Sequence, residues 1–525
     1  MSTVGRDEAG SAVSNVSAVS RVEGQAAPGP NADDVVGPDG RPADSATPAA
    51  PWPVPVRAPV ALGRLLALVG IYVITAHVLP PPGGVTPEGW RVTAVFLSTV
   101  AGLMLQPLPG AVVVIIGLTM LVLVGGIPMN EALAGFSTPS VWLVLGAMLI
   151  SRVLRDAGLS RRIALLFVRA IGRNSLGVAY SLLLTEVTLA AGIPSVTARS
   201  GGIVLPIARS IAELYNSRPG PSASLLGRFL MLSLYQGSTL ACAMFLTGQA
   251  SNVLAASLAM QVAGVTVTWG SWFVAALVPG LVSCLVVPYA VYRLVPPDLK
   301  QTPAAAEYAK TELERMGPVR GREALVLVVF VGICTMWLTS GWHHVDITLV
   351  ALCGICVLFL SNVLAWQTAL AERSAWDVFV WYGGLMTMGE VLSTTGSTTA
   401  FADLLGASLQ GVPWMWVLPP TLAIYFYAHY GFASITTHVL AMFPPFIAML
   451  VGFGAPPLLV VYSLACLANL TAGLTHYGTT TGPIVFAQDY VGLGEWWRVG
   501  FVISIVNLGI WLTIGFAWWK YLGFW

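Results

Sequence analysis

The sequence predicts an all-α integral membrane protein, and three observations favour this fold class. Hydrophobic residues make up 56% of the 525 residues and charged residues only 9%, whereas a soluble domain carries about 25% charged residues. From Val60 onward, apolar runs long enough to cross ~30 Å of hydrocarbon follow one another. These runs do not alternate polar and apolar residues as the strands of a membrane barrel do, so we interpret them as helices.

The chain ahead of these runs has a different composition. Residues 1–57 are rich in Ala, Pro, Ser, Gly and Asp and contain few large apolar side chains. Such a segment cannot bury enough surface to offset the cost of ordering. We therefore expect a disordered cytoplasmic tail over residues 1–57.

The apolar runs predict about eleven transmembrane helices. In chain order they cover 61–80, 90–105, 107–127, 139–155, 228–246, 272–294, 323–340, 346–363, 376–393, 457–474 and 498–519. Basic residues (Lys and Arg) cluster in the tail, in the segment after the fourth span and in the linker, whereas the loops at 80–89, 128–138, 263–271, 341–345 and 452–456 contain none. Lys and Arg favour cytoplasmic loops. This distribution predicts a cytoplasmic N-terminus. A charged cytoplasmic linker over residues 297–322 separates two halves.

Two further apolar stretches, 177–214 and 414–451, are broken near their middle by small polar residues and predict re-entrant hairpins. The tips are expected at 195–197 and 434–437. Matched spacings across about 60 residues around the two tips indicate an internal duplication. Because the first hairpin would enter from the cytoplasm and the second from outside, the repeat is inverted. In this design, broken helices meet near the bilayer midplane and form one site with alternating access.

Each half also contains a later polar interruption, at 247–252 and at 475–483. Non-helical backbone at membrane depth is tolerated only where it lines a protein-enclosed or watery cavity. Free backbone N–H groups at helix starts, together with hydroxyl groups, form a cradle suited to a carboxylate. The predicted substrate-binding residues are Ser195, Thr197, Arg199, Thr247, Gly248, Ser251, Asn252, Ser434, Thr436, Thr437, His438, Thr475, His476, Gly478, Thr479 and Thr480.

Two basic residues lie at matching places in the predicted repeat. Arg199 lies four residues after Ser195, and His438 lies four residues after Ser434. An arginine inside a membrane costs about 2.5–3.5 kcal/mol on insertion scales, so it needs a partner or a function. We expect both side chains to attract an anion. The alternative is that Arg199 pairs with a buried acid such as Glu186 and that His438 caps a helix.

Other chemistry-bearing groups give weaker signals. The formal net charge of +1 offers no basic excess for nucleic acid. The sequence predicts no cofactor and no metal site, because the CxxC at Cys353 and Cys356 lacks the second Cys or His pair of a zinc site. Asp377 and Glu390 in the ninth predicted span are interpreted either as proton carriers or as scaffold partners.

Four segments resemble the divalent anion/sodium symporter family, in particular its branch of plastid 2-oxoglutarate/malate translocators and bacterial citrate/succinate antiporters. The segments are IPSVTARSGGIVLPI (193–207), FLTGQASNVLA (245–255), YFYAHYGFASITTHVLAMF (425–443) and LTHYGTTTGPIVFAQDYV (474–491). The resemblance extends from about residue 60 to the C-terminus.

The resemblance implies an inverted-repeat homodimer in which a transport domain moves against a scaffold domain by an elevator-like mechanism. We expect the substrate to be a small di- or tricarboxylate, the other partner to be membrane lipid, and the location to be a bacterial inner membrane. The expected domains are 58–138 (scaffold), 139–262 (transport), 263–296 (scaffold), 297–322 (linker), 323–375 (scaffold), 376–491 (transport) and 492–525 (last transmembrane helix).

The hairpin tips depart from the family pattern. Family members carry Ser-Asn-Thr at each tip, whereas Val196 and Ile435 stand at the middle position here. An amide donor is thus missing at both ends of the expected site. Either the backbone and the hydroxyl groups suffice to bind a carboxylate, or the substrate is bulkier and more apolar than succinate.

The coupling mode is inferred from the two basic residues. Sodium-coupled members of the family lack cations where Arg199 and His438 lie, and the exchange branch carries them. A tethered cation substitutes for Na⁺, and a carrier with a permanent charge in its site crosses readily only when an anion is bound. We therefore expect Na⁺-independent exchange, with Na⁺- or H⁺-coupled symport as the alternative. An enzyme is disfavoured, because HExxH, P-loop and GxSxG motifs are missing.

Overall fold

The computed structural model describes residues 58–397, 400 and 411–525. Every named element within these residues is helical, so the all-α prediction is confirmed for this part of the chain. The tail predicted over residues 1–57 lies outside the described residues.

The first half of the chain runs through helices α1 to α11. Their bounds are α1 (Ala58–Val73), α2 (Pro87–Leu105), α3 (Gly110–Leu123), α4 (Met129–Ala132), α5 (Pro139–Asp156), α6 (Leu159–Ile171), α7 (Ser175–Ala190), α8 (Leu205–Leu214), α9 (Gly227–Met244), α10 (Ala250–Ala263) and α11 (Trp269–Leu294). Short π-helices lie at Ile74–Val78, directly after α1, and at Thr197–Val204, directly before α8.

The linker and the second half follow. Their helices are α12 (Pro303–Met316), α13 (Gly321–Leu338), α14 (Ser340–His343), α15 (Ile347–Leu360), α16 (Trp366–Ala371), α17 (Arg373–Thr394), α18 (Trp414–Tyr427), α19 (Ile435–Gly452), α20 (Pro457–Leu470), α21 (Thr481–Phe486), α22 (Leu493–Ile510) and α23 (Phe516–Tyr521). A π-helix at Trp511–Gly515 joins the last two.

A helix lies at each segment that the sequence predicts to cross a membrane. Among the described residues, five helical segments are long and apolar enough to do so by length and composition alone, and several other apolar helices are shorter. The five are Trp269–Leu294, Gly321–Leu338, Ile435–Gly452, Pro457–Leu474 and Leu493–Tyr521. Length and apolar character therefore support a helical membrane protein.

The first hairpin is built from α7 and α8. Asn174 caps α7, and its side-chain oxygen accepts a hydrogen bond of 2.7 Å from the backbone N–H of Gly177. The helix ends before Pro194, which cannot donate to a helical hydrogen bond. Gly192 packs so closely on α13 that an added Cβ would lie 2.4 Å from the ring of Phe330. The chain then returns through the π-helix at Thr197–Val204 into α8.

The second hairpin pairs α18 with α19. A 3₁₀ turn at Ala428–Gly431 directly follows α18, and α19 begins directly after Ser434. The predicted hairpin ranges of 177–214 and 414–451 match these two pairs of helices closely. The polar residues that suggested two interruptions therefore lie where the helices start again.

The later interruptions are breaks between consecutive helices. A 3₁₀ turn at Leu246–Gly248 separates α9 from α10, and another at Thr471–Leu474 follows α20. Glycine is required in both breaks because of a close backbone approach. A Cβ on Gly248 would lie 2.5 Å from the carbonyl oxygen of Cys242, and one on Gly478 would lie 2.6 Å from that of Ala472.

The linker between the halves is helical and packs on α6. Arg161 in α6 pairs with Glu312 in α12 at 2.6 Å. Arg162 pairs with Glu323 at the start of α13 and also donates to the carbonyl oxygen of Gly317 at 2.9 Å. Helix α6 thereby holds both the linker and the start of the second half.

Candidate functional site

The two hairpin tips and the two helix breaks line one cavity of about 420 Å³. Half of the predicted substrate-binding residues lie on its wall. These are Ser195, Thr197, Ser251, Ser434, Thr436, Thr437, Thr479 and Thr480. The fold therefore brings hydroxyl groups from all four interrupted elements to one place.

The first tip contacts the second break directly. The hydroxyl oxygens of Thr197 and Thr480 lie 2.7 Å apart and share a hydrogen bond. The hydroxyl of Ser195 accepts a hydrogen bond of 3.2 Å from the backbone N–H of Ala198. Residues almost 300 positions apart in the sequence thus form a continuous polar wall.

The second tip presents the start of a helix to the cavity. Ser434 lies at the N-cap position of α19, and the first backbone bond of the helix runs from His438 N–H to its carbonyl. The N–H groups of Ile435, Thr436 and Thr437 precede that bond, so they have no partner within the helix. A helix start carries partial positive charge. This arrangement suits an anion.

Gln249 also lines the cavity, although it is not among the predicted binding residues. Its side-chain amide donates to the side-chain oxygen of Asn469, and the Asn469 amide donates to the carbonyl of Ala465 at 3.0 Å. The first break is thereby tied to α20 of the other half. A polar amide within an apolar stretch was the available signal, but its partner lies 220 residues away.

Asp377 also lines the cavity, whereas Glu390, near the other end of α17, does not. Asp377 forms no ion pair with any of the residues that the structure describes. The sequence left open whether these two acids carry protons or support the fold. A carboxylate beside a cavity rich in hydroxyl groups keeps the proton-carrier interpretation open for Asp377.

Arg199 lies behind the first tip and not on the cavity wall. It is fully buried, and its guanidinium pairs with Glu186 at 2.6 Å. The same group donates to the carbonyl oxygens of Ile193 at 2.8 Å and Gly248 at 3.0 Å. The expectation that its charge awaits a bound anion is therefore corrected: Glu186 neutralises it, as the alternative interpretation held.

His438 is likewise fully buried and lies off the cavity wall. Its Nδ1 lies 2.7 Å from Nδ1 of His429, and Nε2 of His429 lies 2.9 Å from the carbonyl oxygen of Gly478. Because Nε2 of His429 faces an acceptor, it carries a hydrogen. Nδ1 of neutral His429 then accepts the hydrogen of His438. His438 thus reaches the second break through a second histidine, and it does not cap a helix.

The remaining predicted residues support the breaks instead of lining the cavity. The Thr247 hydroxyl donates to the carbonyl of Ala191 at 2.6 Å, and the Asn252 amide donates to the carbonyls of Cys242 and Phe245. The other four residues of this group are Gly248, Thr475, His476 and Gly478. The bonds of Thr247 and Asn252 fix the first break, whereas the buried Thr475 hydroxyl has no hydrogen-bond partner among the described residues.

Comparison with known proteins assigns a family. The family model described as the sodium:sulfate symporter transmembrane region matches residues 60–525. The chain belongs to the sodium:sulfate symporter family. It is accordingly a membrane transporter and not an enzyme, which confirms the resemblance that the hairpin and break segments indicated.

Relatives of this sodium:sulfate symporter family member occur in bacteria and plants. The chain is 39% identical to the putative malate transporter YflS of Bacillus subtilis, over 89% of this chain and 98% of the relative. It is 39% identical to the chloroplastic dicarboxylate transporter 1 of Spinacia oleracea, over 85% and 79%. The inner membrane protein YbhI of Escherichia coli is 31% identical, over 88% and 98%.

Solved structures share the fold of this family member at low sequence identity. MtrF of Neisseria gonorrhoeae aligns with a TM-score of 0.53 and 13% identity, over 86% of this chain and 97% of MtrF. The YdaH transporter of Alcanivorax borkumensis aligns with a TM-score of 0.50 and 15% identity, over 74% and 88%. The fold is therefore one that other membrane transporters use.

The two positions at which this member departs from the family tip pattern both line the cavity. Val196 and Ile435 are buried, and each lies on the wall beside the hydroxyl residues of its tip. Apolar surface thus replaces an amide donor at both tips. The two tip residues that differ from the family pattern therefore lie on the cavity wall.

Proposed function

We propose that the chain exchanges di- or tricarboxylates, or related organic anions, across the membrane without Na⁺. The observation that carries the proposal is the position of Arg199, which donates to backbone carbonyls of the first tip and the first break. The names of relatives support the substrate class, because they include a putative malate transporter and a dicarboxylate transporter.

The cavity lining supports binding of an organic anion. Hydroxyl groups and the start of α19 supply donors to a carboxylate. The cavity wall also contains apolar surface, which comes from Val196, Ile435 and Trp381. We infer that the substrate has a carboxylate at each end and that its body contacts this apolar surface.

Independence of Na⁺ is supported by the ligands of Arg199. Unwound backbone carbonyls coordinate Na⁺ in transporters with broken helices. Here the guanidinium of Arg199 already donates hydrogen bonds to the carbonyl oxygens of Ile193 and Gly248, and Glu186 supplies the counter-charge. A tethered cation therefore takes the place that a sodium ion would need.

Exchange is supported by the cost of closing an empty cavity. Each buried donor left without a partner costs about 1–3 kcal/mol. A bound carboxylate satisfies the free N–H groups of the second tip, whereas an empty cavity sealed from water leaves them unpaired. The loaded carrier should therefore cross more readily than the empty one. An unpaired charge at Arg199 does not contribute to this cost, because Glu186 neutralises it.

Proton-coupled symport is the second candidate, because Asp377 lines the cavity and a buried histidine pair supports the second break. A carboxylate beside an open cavity can take up and release a proton. In this version, an anion and a proton would cross together. Na⁺-coupled symport has no comparable observation in its favour.

The proposed architecture is an inverted repeat of about eleven spans with two re-entrant hairpins. In each half a basic side chain of the hairpin hydrogen-bonds the carbonyl of the break glycine: Arg199 to Gly248 and His429 to Gly478. These paired contacts support a duplication. We further propose a homodimer in a bacterial inner membrane with a cytoplasmic N-terminus, in which the hairpins and breaks move against a scaffold.

Transport in proteoliposomes tests the proposal. A thermal-shift screen against organic acids would select the substrate, with malate as the first probe. Vesicles preloaded with unlabelled malate should take up labelled malate equally fast with and without Na⁺. A requirement for a Na⁺ gradient would overturn the proposal. Uptake into empty vesicles driven by a proton gradient would establish the second candidate instead.

A further inference from the structure

A second cavity of about 270 Å³ adjoins the first. The two cavities share the wall residues Met148, Ser195, Thr197 and Ser374. The second cavity is also lined by Arg155 in the last turn of α5 and by Glu372, which directly precedes α17. It therefore forms a vestibule between the first hairpin tip and the charged ends of two helices.

Arg155 is held in the vestibule by few bonds. One guanidinium nitrogen donates to Glu372 and another to the hydroxyl of Ser151, each at 3.2 Å. A guanidinium has five N–H donors, so Arg155 keeps donors for another acceptor. Its side chain is 24% exposed. The group is thus both accessible and incompletely bonded.

Glu372 has partners besides Arg155. Arg152 donates to it at 3.1 Å and also pairs with Asp156 at 2.7 Å, and the Ser374 hydroxyl donates to it as well. Burial favours a higher pKa for Glu372, but the hydrogen bonds from Ser374 and Arg152 outweigh it and hold the pKa below its ordinary value. The carboxylate therefore stays ionised and remains anchored if Arg155 leaves it.

The charges around the two cavities are unevenly distributed. Of the described residues that line them, Arg155 alone is basic. Asp377 in the main cavity repels an approaching anion. Arginine binds a carboxylate through a bidentate fork, so it is the group in this region suited to draw a dicarboxylate toward the hairpin tips.

We propose that Arg155 is a substrate-binding residue of the vestibule, where an incoming carboxylate displaces Glu372 from its guanidinium. The inference rests on the proposed function, because it requires a carboxylate substrate. Glu372 acts as a built-in competitor that lowers the affinity of the vestibule. Substitution of Arg155 and substitution of Glu372 should therefore change the KM for substrate in opposite directions.

Malate exchange by three variants in proteoliposomes tests this assignment. Arg155→Gln should raise KM about tenfold or more, since a hydrogen bond between charged groups contributes about 1.5–3 kcal/mol. Glu372→Gln should lower KM, because the competing charge is gone. Arg209→Gln is the matched control: it also loses an ion pair, with Glu213 at 2.7 Å, but it is exposed and lies on neither cavity wall, so its KM should stay within about twofold of the wild type.

The outcomes separate the two hypotheses. Wild-type protein that neither binds nor exchanges malate or any other carboxylate overturns the proposed function and this inference with it. Wild-type exchange with an unchanged KM in Arg155→Gln overturns the inference alone. Lower maximal rates at unchanged KM in both Arg155→Gln and Glu372→Gln indicate a structural ion pair and also overturn it. If Arg155→Gln does not fold, Arg155→Lys and Glu372→Gln give the same decision.

Discussion

At the scale of single residues, the role of the buried charge on Arg199 depends on the groups that it contacts. Its guanidinium satisfies a carboxylate and two carbonyls at once. The sequence indicated that an arginine within an apolar hairpin needs a partner or a function. The structure combines the two possibilities, because the partner Glu186 lets the arginine tie the first tip to the first break.

Substitution of Arg199 should therefore affect both stability and transport. Arg199→Ala leaves Glu186 buried without a counter-charge, and breaking such a pair costs about 3–5 kcal/mol. The double variant Glu186→Gln/Arg199→Met removes both charges and should recover most of the lost stability. Thermal unfolding in detergent measures this difference.

Exchange by the double variant separates the two roles of Arg199. If the guanidinium takes the place of Na⁺, the stable double variant should still lack Na⁺-independent exchange. Wild-type exchange rates in that variant would contradict the role assigned to Arg199.

Val196 and Ile435 set the character of the cavity at its two tips. Val196→Asn should introduce an amide donor and improve binding of short dicarboxylates, because one hydrogen bond contributes about 1 kcal/mol, or about fivefold in affinity. Competition of succinate against labelled malate measures the shift. Ile435→Asn provides the matched variant at the other tip. Unchanged succinate competition in both variants would show that these side chains do not contact the substrate.

At the scale of helices and breaks, Gly248 and Gly478 should be intolerant of substitution. Gly248→Ala and Gly478→Ala force a Cβ to within 2.5 and 2.6 Å of a backbone carbonyl oxygen, and such overpacking costs about 1–3 kcal/mol. We expect loss of exchange together with a lower unfolding temperature. Gly332→Ala is the control, since no atom lies within 4 Å of its added Cβ. Normal exchange in Gly248→Ala would argue against a fixed break.

The elements were predictable wherever apolar length decides the structure. Each predicted membrane segment contains a helix, because a long run of apolar residues favours a helix in hydrocarbon. The amphipathic helices α6 and α12 were missed as elements, since their apolar residues occupy one face only. Such helices are stabilised only when their apolar faces pack on each other.

The candidate site was predictable in its hydroxyl residues and not in its connections. Small polar residues inside apolar stretches marked both tips, and these side chains line the cavity. Sequence spacing could not reveal that His438 acts through His429, or that Gln249 meets Asn469 across the two halves. Those contacts depend on the packing of helices that are distant in the chain.

At the scale of the whole molecule, α6 contacts both the linker and the start of the second half. Arg162 is buried, pairs with Glu323 and donates to the carbonyl of Gly317. Arg162→Gln should lower the free energy of unfolding by about 1.5–3 kcal/mol without changing the KM for substrate. The exposed Arg169→Gln should change stability by less than about 0.5 kcal/mol. A changed KM in Arg162→Gln would show that the linker also acts on the cavity.

In each helix break a glycine carbonyl accepts a hydrogen bond, but the donating groups differ. One uses an arginine, whose charge is balanced by an ion pair with Glu186, and the other uses two neutral imidazoles in series. Loss of the Arg199 contact would leave a buried charged group without a partner, whereas loss of the His429 contact would leave only neutral groups unpaired. The two breaks are therefore anchored unequally, and the second should loosen at the lower cost.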